Sequence, residues 1–99
     1  MHGQFSSFEA VNRAALAVLP SLLDRWLQGG HRQGREYVAR NPTRHDRRAG
    51  SFKVNLATGR WADFATGDRG GDPVSLAAYL FRLNQAEAAR RLADMLGVR

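Results

Sequence analysis

The most informative stretch of the sequence is residues 51–64, which read SFKVNLATGRWADF. Apolar and polar residues alternate from Phe52 to Leu56, the period of a strand with one buried face. A turn follows that ends in Gly59, where glycine accepts the positive φ of a tight turn. Residues 60–64 are the return strand. The stretch therefore predicts an antiparallel hairpin with one buried face and one polar, basic face.

Weaker patterns flank this hairpin. Tyr37 and Ala39 alternate with polar neighbours, so a short strand is predicted over residues 35–40. A glycine-rich loop is predicted over residues 67–71. The sheet is therefore expected to lie within residues 35–66.

Helices are predicted on both sides of the sheet. Apolar residues recur at three- and four-residue steps over residues 8–26, the stripe of an amphipathic helix. Pro20 divides this stripe into two helices, the first capped by Ser6. After the sheet, Asp72 is expected to cap an almost wholly apolar helix that packs centrally, and Asn84 to cap the last helix.

The predicted fold class is α+β, a small antiparallel β-sheet flanked by two N-terminal and two C-terminal helices. The length of 99 residues fits one domain. Within this single domain we expect N-terminal helices in residues 1–30, the sheet in residues 35–66 and C-terminal helices in residues 72–97. We further expect the chain to be the N-terminal part of a longer protein.

The positive charge of the chain is concentrated in its middle. Fifteen basic and nine acidic residues give a net charge of +6. Residues 31–60 contain eight of the basic and two of the acidic residues, which accounts for the whole excess. Such localised charge is typical of a protein that binds a polyanion. The alternative is a solvated basic surface without a partner.

Several function classes are not expected. The chain has no cysteine, and no apolar run approaches the ~20 residues that cross a bilayer. No secretory signal is recognised at the N-terminus, so a cytoplasmic location is expected. Phosphate-loop, H-E-x-x-H and G-x-S-x-G motifs are absent from the sequence, as is a D-x-D carboxylate pair. We therefore expect no catalytic residues, no cofactor and no metal.

Four short boxes occur in an order that is familiar from one protein family. They are Asn41-Pro42-Thr43-Arg44, Ser51-Phe52-Lys53-Val54, Asp63-Phe64-Ala65-Thr66-Gly67 and Gly71-Asp72-Pro73-Val74. Together they resemble the zinc-binding, zinc-ribbon-like domain of bacterial, phage and plasmid DNA primases. In that family a Cys-Pro-x-His box precedes a Ser-Phe-x-Val strand, and a Cys-Phe-x-Cys-Gly box follows the return strand. The resemblance covers residues 37–97 and implies recognition of single-stranded template DNA.

The chain departs from that family at the zinc ligands. The four ligand positions correspond to Asn41, Arg44, Asp63 and Thr66, none of which is Cys or His. The resemblance therefore implies a degenerate domain that folds without zinc. We hypothesise that Arg44 and Asp63 form a charge-assisted hydrogen bond in place of the metal, and that Asn41 and Thr66 complete a polar cluster.

The expected partner is single-stranded DNA. Cations would contact its phosphates, and an aromatic residue would stack on a base. The predicted nucleic-acid-binding residues are Arg40, Arg47, Arg48, Lys53, Arg60, Trp61 and Arg69. Either Trp61 or Phe64 can serve as the stacking platform, but not both, because strand alternation places them on opposite faces. For Trp61 the alternative is packing in the core.

A second interpretation is a module that docks on another replication protein, such as a polymerase or a helicase. An exposed apolar patch, for instance at Phe8, Leu16 or Trp26, would favour that interpretation.

Overall fold

A computed structural model describes residues 7–44 and 50–98 of the chain. Within these ranges the chain forms four helices and a five-stranded antiparallel sheet, which confirms the predicted α+β class. The helices are α1 (Phe8–Ala17), α2 (Leu19–Trp26), α3 (Pro73–Phe81) and α4 (Gln85–Leu96). The strands are β1 (His31–Gln33), β2 (Glu36–Ala39), β3 (Phe52–Asn55), β4 (Trp61–Asp63) and β5 (Arg69–Gly70). None of these helices is long and apolar enough to span a bilayer.

Side-chain caps determine where three of the helices begin. The carboxylate of Asp72 accepts from the amide of Ser75 at 2.8 Å, and the Asn84 side chain accepts from the amide of Glu87 at 2.8 Å, as predicted. At α1 the cap is Ser7, whose hydroxyl accepts from the amide of Ala10 at 3.0 Å. The prediction of Ser6 as the cap is therefore wrong, and Ser6 itself lies outside the described residues. Two adjacent serines offer almost the same local chemistry, so the sequence alone did not distinguish them.

The sheet is a meander in which each strand pairs with its neighbours in sequence, in the order β1-β2-β3-β4-β5. The predicted hairpin is its centre, and Asn55 closes the turn by accepting from two turn amides. The predicted bounds of 35–66 are wrong at both ends. All three residues of β1 are exposed, so they carry no alternating apolar signal. Strand β5 is only two residues long and lies inside the predicted glycine-rich loop.

The core lies on one face of the sheet. Side chains of β2, β3 and β4 pack there against Leu76 of α3 and against Leu19 and Leu23 of α2. The opposite side of α3 presents Val74, Ala77 and Ala78 to α1 and α4. Helix α3 thus belongs to both apolar clusters, as expected of the central packing helix. Among the described residues, neither apolar cluster extends to the second face of the sheet, although Val38 on that face is only 4% exposed.

The turn of the central hairpin packs tightly against the start of α3. Gly59 has a φ of 80°, and a Cβ there would lie 2.6 Å from the Cδ of Pro73. Gly34 has a similar φ of 64°, but nothing lies within 4 Å of its Cβ position. We expect Gly34→Ala to cost only the left-handed backbone penalty of about 1–2 kcal/mol. Gly59→Ala should lower the free energy of unfolding by about 1–3 kcal/mol more, because it also displaces α3. Urea denaturation measures the free energy of unfolding of both variants. Equal losses in Gly34→Ala and Gly59→Ala would contradict the close contact with Pro73.

Candidate nucleic-acid interface

The second face of the sheet carries basic side chains. Lys53 on β3 pairs with Ala62 on β4, which in turn pairs with Arg69 on β5. These residues alternate with the buried Phe52 and Trp61, so they lie on the face opposite the core. Lys53 and Arg69 therefore share one face across three strands.

This face forms a shallow depression of about 240 Å³, which we call the sheet-face concavity. Its lining residues are Glu36, Lys53, Asn55, Arg60, Trp61, Ala62, Phe64, Arg69 and Gly70. Three of the predicted DNA-binding cations thus line one surface. The Nζ of Lys53 is 4.0 Å from a carboxylate oxygen of Glu36, so part of the positive charge is neutralised within the concavity.

Phe64 is the exposed aromatic residue of this surface. Its side chain is 71% exposed, and the Nζ of Lys53 lies 5.7 Å from the centre of its ring. That distance is typical of a cation–π contact. An exposed ring beside ammonium and guanidinium groups can stack on one base while the cations contact the flanking phosphates.

Trp61 does not offer such a surface. Although it borders the concavity, it is only 5% exposed. Its ring packs 4.6 Å from that of Tyr79, and its Nε1 donates to the Ser75 hydroxyl at 3.0 Å. The choice of Trp61 as a DNA-binding residue is therefore wrong for this structure, because a ring enclosed in the core has no face for a base. The prediction that Trp61 and Phe64 lie on opposite faces is confirmed, with Phe64 on the solvent side.

The remaining predicted cations lie elsewhere. Arg40 does not line the sheet-face concavity; it lines a separate groove together with Arg25 and Trp26 of α2. Arg47 and Arg48 lie outside the described residues, so their role stays a prediction.

Of the four positions that correspond to zinc ligands in the primase family, Asn41, Arg44 and Asp63 meet in one polar cluster. Asn41 is 1% exposed and Asp63 is fully buried. The Nδ2 of Asn41 donates to Asp63 Oδ2 and to the Tyr79 hydroxyl, both at 2.8 Å. The Oδ1 of Asn41 accepts from the amide and the hydroxyl of Thr43, at 2.9 and 2.7 Å. The side-chain amide of Asn41 therefore uses its full hydrogen-bonding capacity inside the protein.

The hypothesised contact between Arg44 and Asp63 is present. The Nε of Arg44 lies 3.2 Å from Asp63 Oδ2, and the amide of Ala65 donates to Asp63 Oδ1 at 2.8 Å. Burial by itself raises the pKa of Asp63. The hydrogen bonds from Asn41 and Ala65, the charge of Arg44 and the amide of Thr66 outweigh burial and hold that pKa below its ordinary value. Asp63 is therefore a buried, ionised carboxylate whose charge is stabilised by protein donors instead of water.

Thr66 does not complete the cluster as predicted. Its side chain is exposed and accepts from the amide of Asp68 at 3.1 Å. The place is taken by Tyr79, whose hydroxyl accepts from Asn41 and donates to Asp68 Oδ2 at 2.7 Å. Sequence reasoning missed Tyr79, although a tyrosine in an otherwise apolar helix is a signal in itself, because its hydroxyl needs a polar partner.

Carboxylates and helix termini near this cluster are already engaged. Asp72 caps α3, and the amide of Val74 donates to the side-chain oxygen of Asn12 at 2.8 Å. Because Pro73 has no amide hydrogen, the start of α3 offers no ready donor to a phosphate. Among residues 7–44 and 50–98, no three His, Cys, Asp or Glu side chains come together as metal ligands.

Comparison with known proteins adds no family to these observations. The sequence matches no protein-family model, and a search of curated proteins finds no significantly similar sequence. The likeness to the primase domain therefore rests on the sequence boxes alone and stays an expectation.

The buried carboxylate has a measurable effect on stability. Asp63→Asn places an amide NH₂ group against donors, so we expect it to lower the free energy of unfolding by about 1–3 kcal/mol at neutral pH. Because the folded pKa of Asp63 is lowered, its stabilisation is complete above the ordinary value of 3.8 and is lost as the pH falls through the folded value. The difference between wild type and variant should therefore shrink below about pH 4. Denaturation from pH 7 to pH 2 tests this, with the exposed Asp94→Asn as the control. A difference that stays constant with pH would contradict an ionised Asp63.

Proposed function

We propose that this chain is a non-catalytic module that binds single-stranded DNA through the sheet-face concavity. The supporting observation is that Lys53, Arg60 and Arg69 line one surface with the exposed ring of Phe64. Cations supply affinity by displacing counterions from phosphates, and the ring supplies contact with a base. A ring of this kind favours single strands, because the bases of a duplex are already stacked on one another.

We further propose that the module recognises template as part of a DNA primase or primase-helicase of a plasmid, a phage or an integrative element, in the cytoplasm. The four sequence boxes support this step. The cluster around Asp63 is compatible with it, because it joins the two loops that carry the zinc-ligand positions in the resembled family. Hydrogen bonds would then perform the structural task of the metal.

A salt titration of DNA binding tests the role of the cations. We expect Lys53→Ala/Arg69→Ala to weaken binding of a labelled oligo-dT. The slope of log affinity against log salt should fall by about 0.7 for each phosphate that the variant no longer neutralises. Arg13→Ala/Arg90→Ala removes the same charge from helices α1 and α4 and serves as the control. Fluorescence anisotropy from low to physiological salt measures both. Equal reductions in the two variants would show that only net charge matters and would contradict a defined site.

The role of Phe64 is tested by a substitution that leaves the charge unchanged. We expect Phe64→Ala to weaken oligo-dT binding by about 5- to 100-fold, the usual effect of removing one stacked base. The salt slope should stay the same, because every phosphate-binding cation is still present. Phe8→Ala is the matched control, since Phe8 is also exposed but lies on α1. Unchanged oligo-dT affinity in Phe64→Ala would contradict the proposal that the Phe64 ring stacks on a base.

A further inference from the structure

An apolar groove lies between helices α2, α3 and α4. It encloses about 190 Å³, and its lining residues are Trp26, Ala77, Phe81, Leu83, Ala88, Arg91, Leu92 and Met95. Every lining side chain except Arg91 is apolar. Phe81 and Met95 are 51% and 44% exposed, which is unusual for large apolar residues on helices that also build a core. Trp26 packs edge-to-face against Phe81 in the wall of the groove, with their ring centroids 5.6 Å apart.

A basic groove adjoins the apolar one and shares Trp26 with it. It encloses about 350 Å³ between the end of α2 and the loop that follows β2. Arg25 and Arg40 line it, and both are exposed. Arg44 also lines it, while its Nε is engaged by Asp63. Neither groove shares a lining residue with the sheet-face concavity, so the two grooves form a surface of their own.

The charge and polarity of this combined surface define the occupant. The phosphates of a nucleic acid would find no partner along a groove built of Phe81, Leu92 and Met95. A second copy of the chain is disfavoured, because a symmetric pair would bring Arg25 and Arg40 of both copies together at a net charge of +6 each. An amphipathic helix fits both grooves. Its apolar side chains at i, i+3 and i+7 would occupy the apolar groove, and its carboxylates would lie in the basic groove on the other side of Trp26.

We propose that the α2–α3–α4 surface, together with the adjoining basic groove, is a docking site for an acidic amphipathic helix of a partner protein. Apolar anchors of the partner contact Phe81 and Met95, and its acidic residues pair with Arg25 and Arg40. This proposal uses no residue of the sheet-face concavity, but it assigns Arg40, one of the predicted DNA-binding residues, to a protein partner.

Selection from a displayed library of randomised helical peptides tests the proposal. The library is selected on the wild-type chain and counter-selected on Phe81→Glu/Met95→Glu, whose substituted side chains are about half exposed. Thermal unfolding verifies that the variant is folded. We expect the enriched peptides to be acidic, with apolar residues at helical spacing.

The enriched peptides are then measured one by one by fluorescence anisotropy. We expect Phe81→Glu/Met95→Glu and Arg25→Glu/Arg40→Glu each to weaken binding by about tenfold or more, as for central interface residues. Phe8 and Arg13 line neither groove. The control substitutions Phe8→Glu and Arg13→Glu should therefore change peptide affinity by less than about twofold. Lys53→Ala/Arg69→Ala should leave peptide affinity unchanged, which separates this site from the DNA surface.

Three results would overturn the proposal. One is a selection that yields no binder dependent on Phe81 and Met95, or only binders without acidic residues. Another is a wild-type dimer in sedimentation analysis that Phe81→Glu dissociates, because the groove would then serve self-association. The third is a fall in oligo-dT affinity in Arg25→Glu/Arg40→Glu as large as that in Lys53→Ala/Arg69→Ala, which would assign the basic groove to DNA.

Discussion

The buried carboxylate of Asp63 is the constraint that brings together the loop after β2 and the loop after β4. A carboxylate removed from water costs several kcal/mol unless donors surround it. Here the donors come from the loop after β2, through Asn41 and Arg44, and from the loop after β4, through the amide of Ala65. Because these donors must converge on one side chain, the two loops are held together. Phe64 follows Asp63 directly in the chain, so the same constraint fixes where the exposed ring leaves the sheet.

Much of the fold was readable from sequence because local rules govern it. The central hairpin, the caps Asp72 and Asn84 and the buried character of α3 follow from periodicity and turn chemistry. Strand β1 was missed because an exposed edge strand needs no apolar residues. Strand β5 was missed because two residues cannot display a period.

The candidate site was harder to predict, because it depends on which side chains meet in space. The contact between Arg44 and Asp63 could be predicted only from the resemblance to the primase domain, which places both residues at zinc-ligand positions. Tyr79 lies 38 residues from Asn41, and no local pattern indicates that their side chains meet. From the sequence alone, both core packing and base stacking were open to Trp61. The packing of its ring on Tyr79 and the hydrogen bond to Ser75 decide in favour of the core.

The meander order of the strands has a consequence for how the chain reaches this structure. Each strand pairs with its immediate neighbour in sequence, so the sheet can form by closing short loops at low entropic cost. The contacts of α1 with α3 and α4 instead join opposite ends of the chain, and the hydrogen bond from Val74 to Asn12 spans 62 residues. The strand pairings are thus local in sequence, whereas the packing of α1 is long-range. The link between the two ends of the chain is therefore made by helix packing and by that hydrogen bond, and no strand pairing contributes to it.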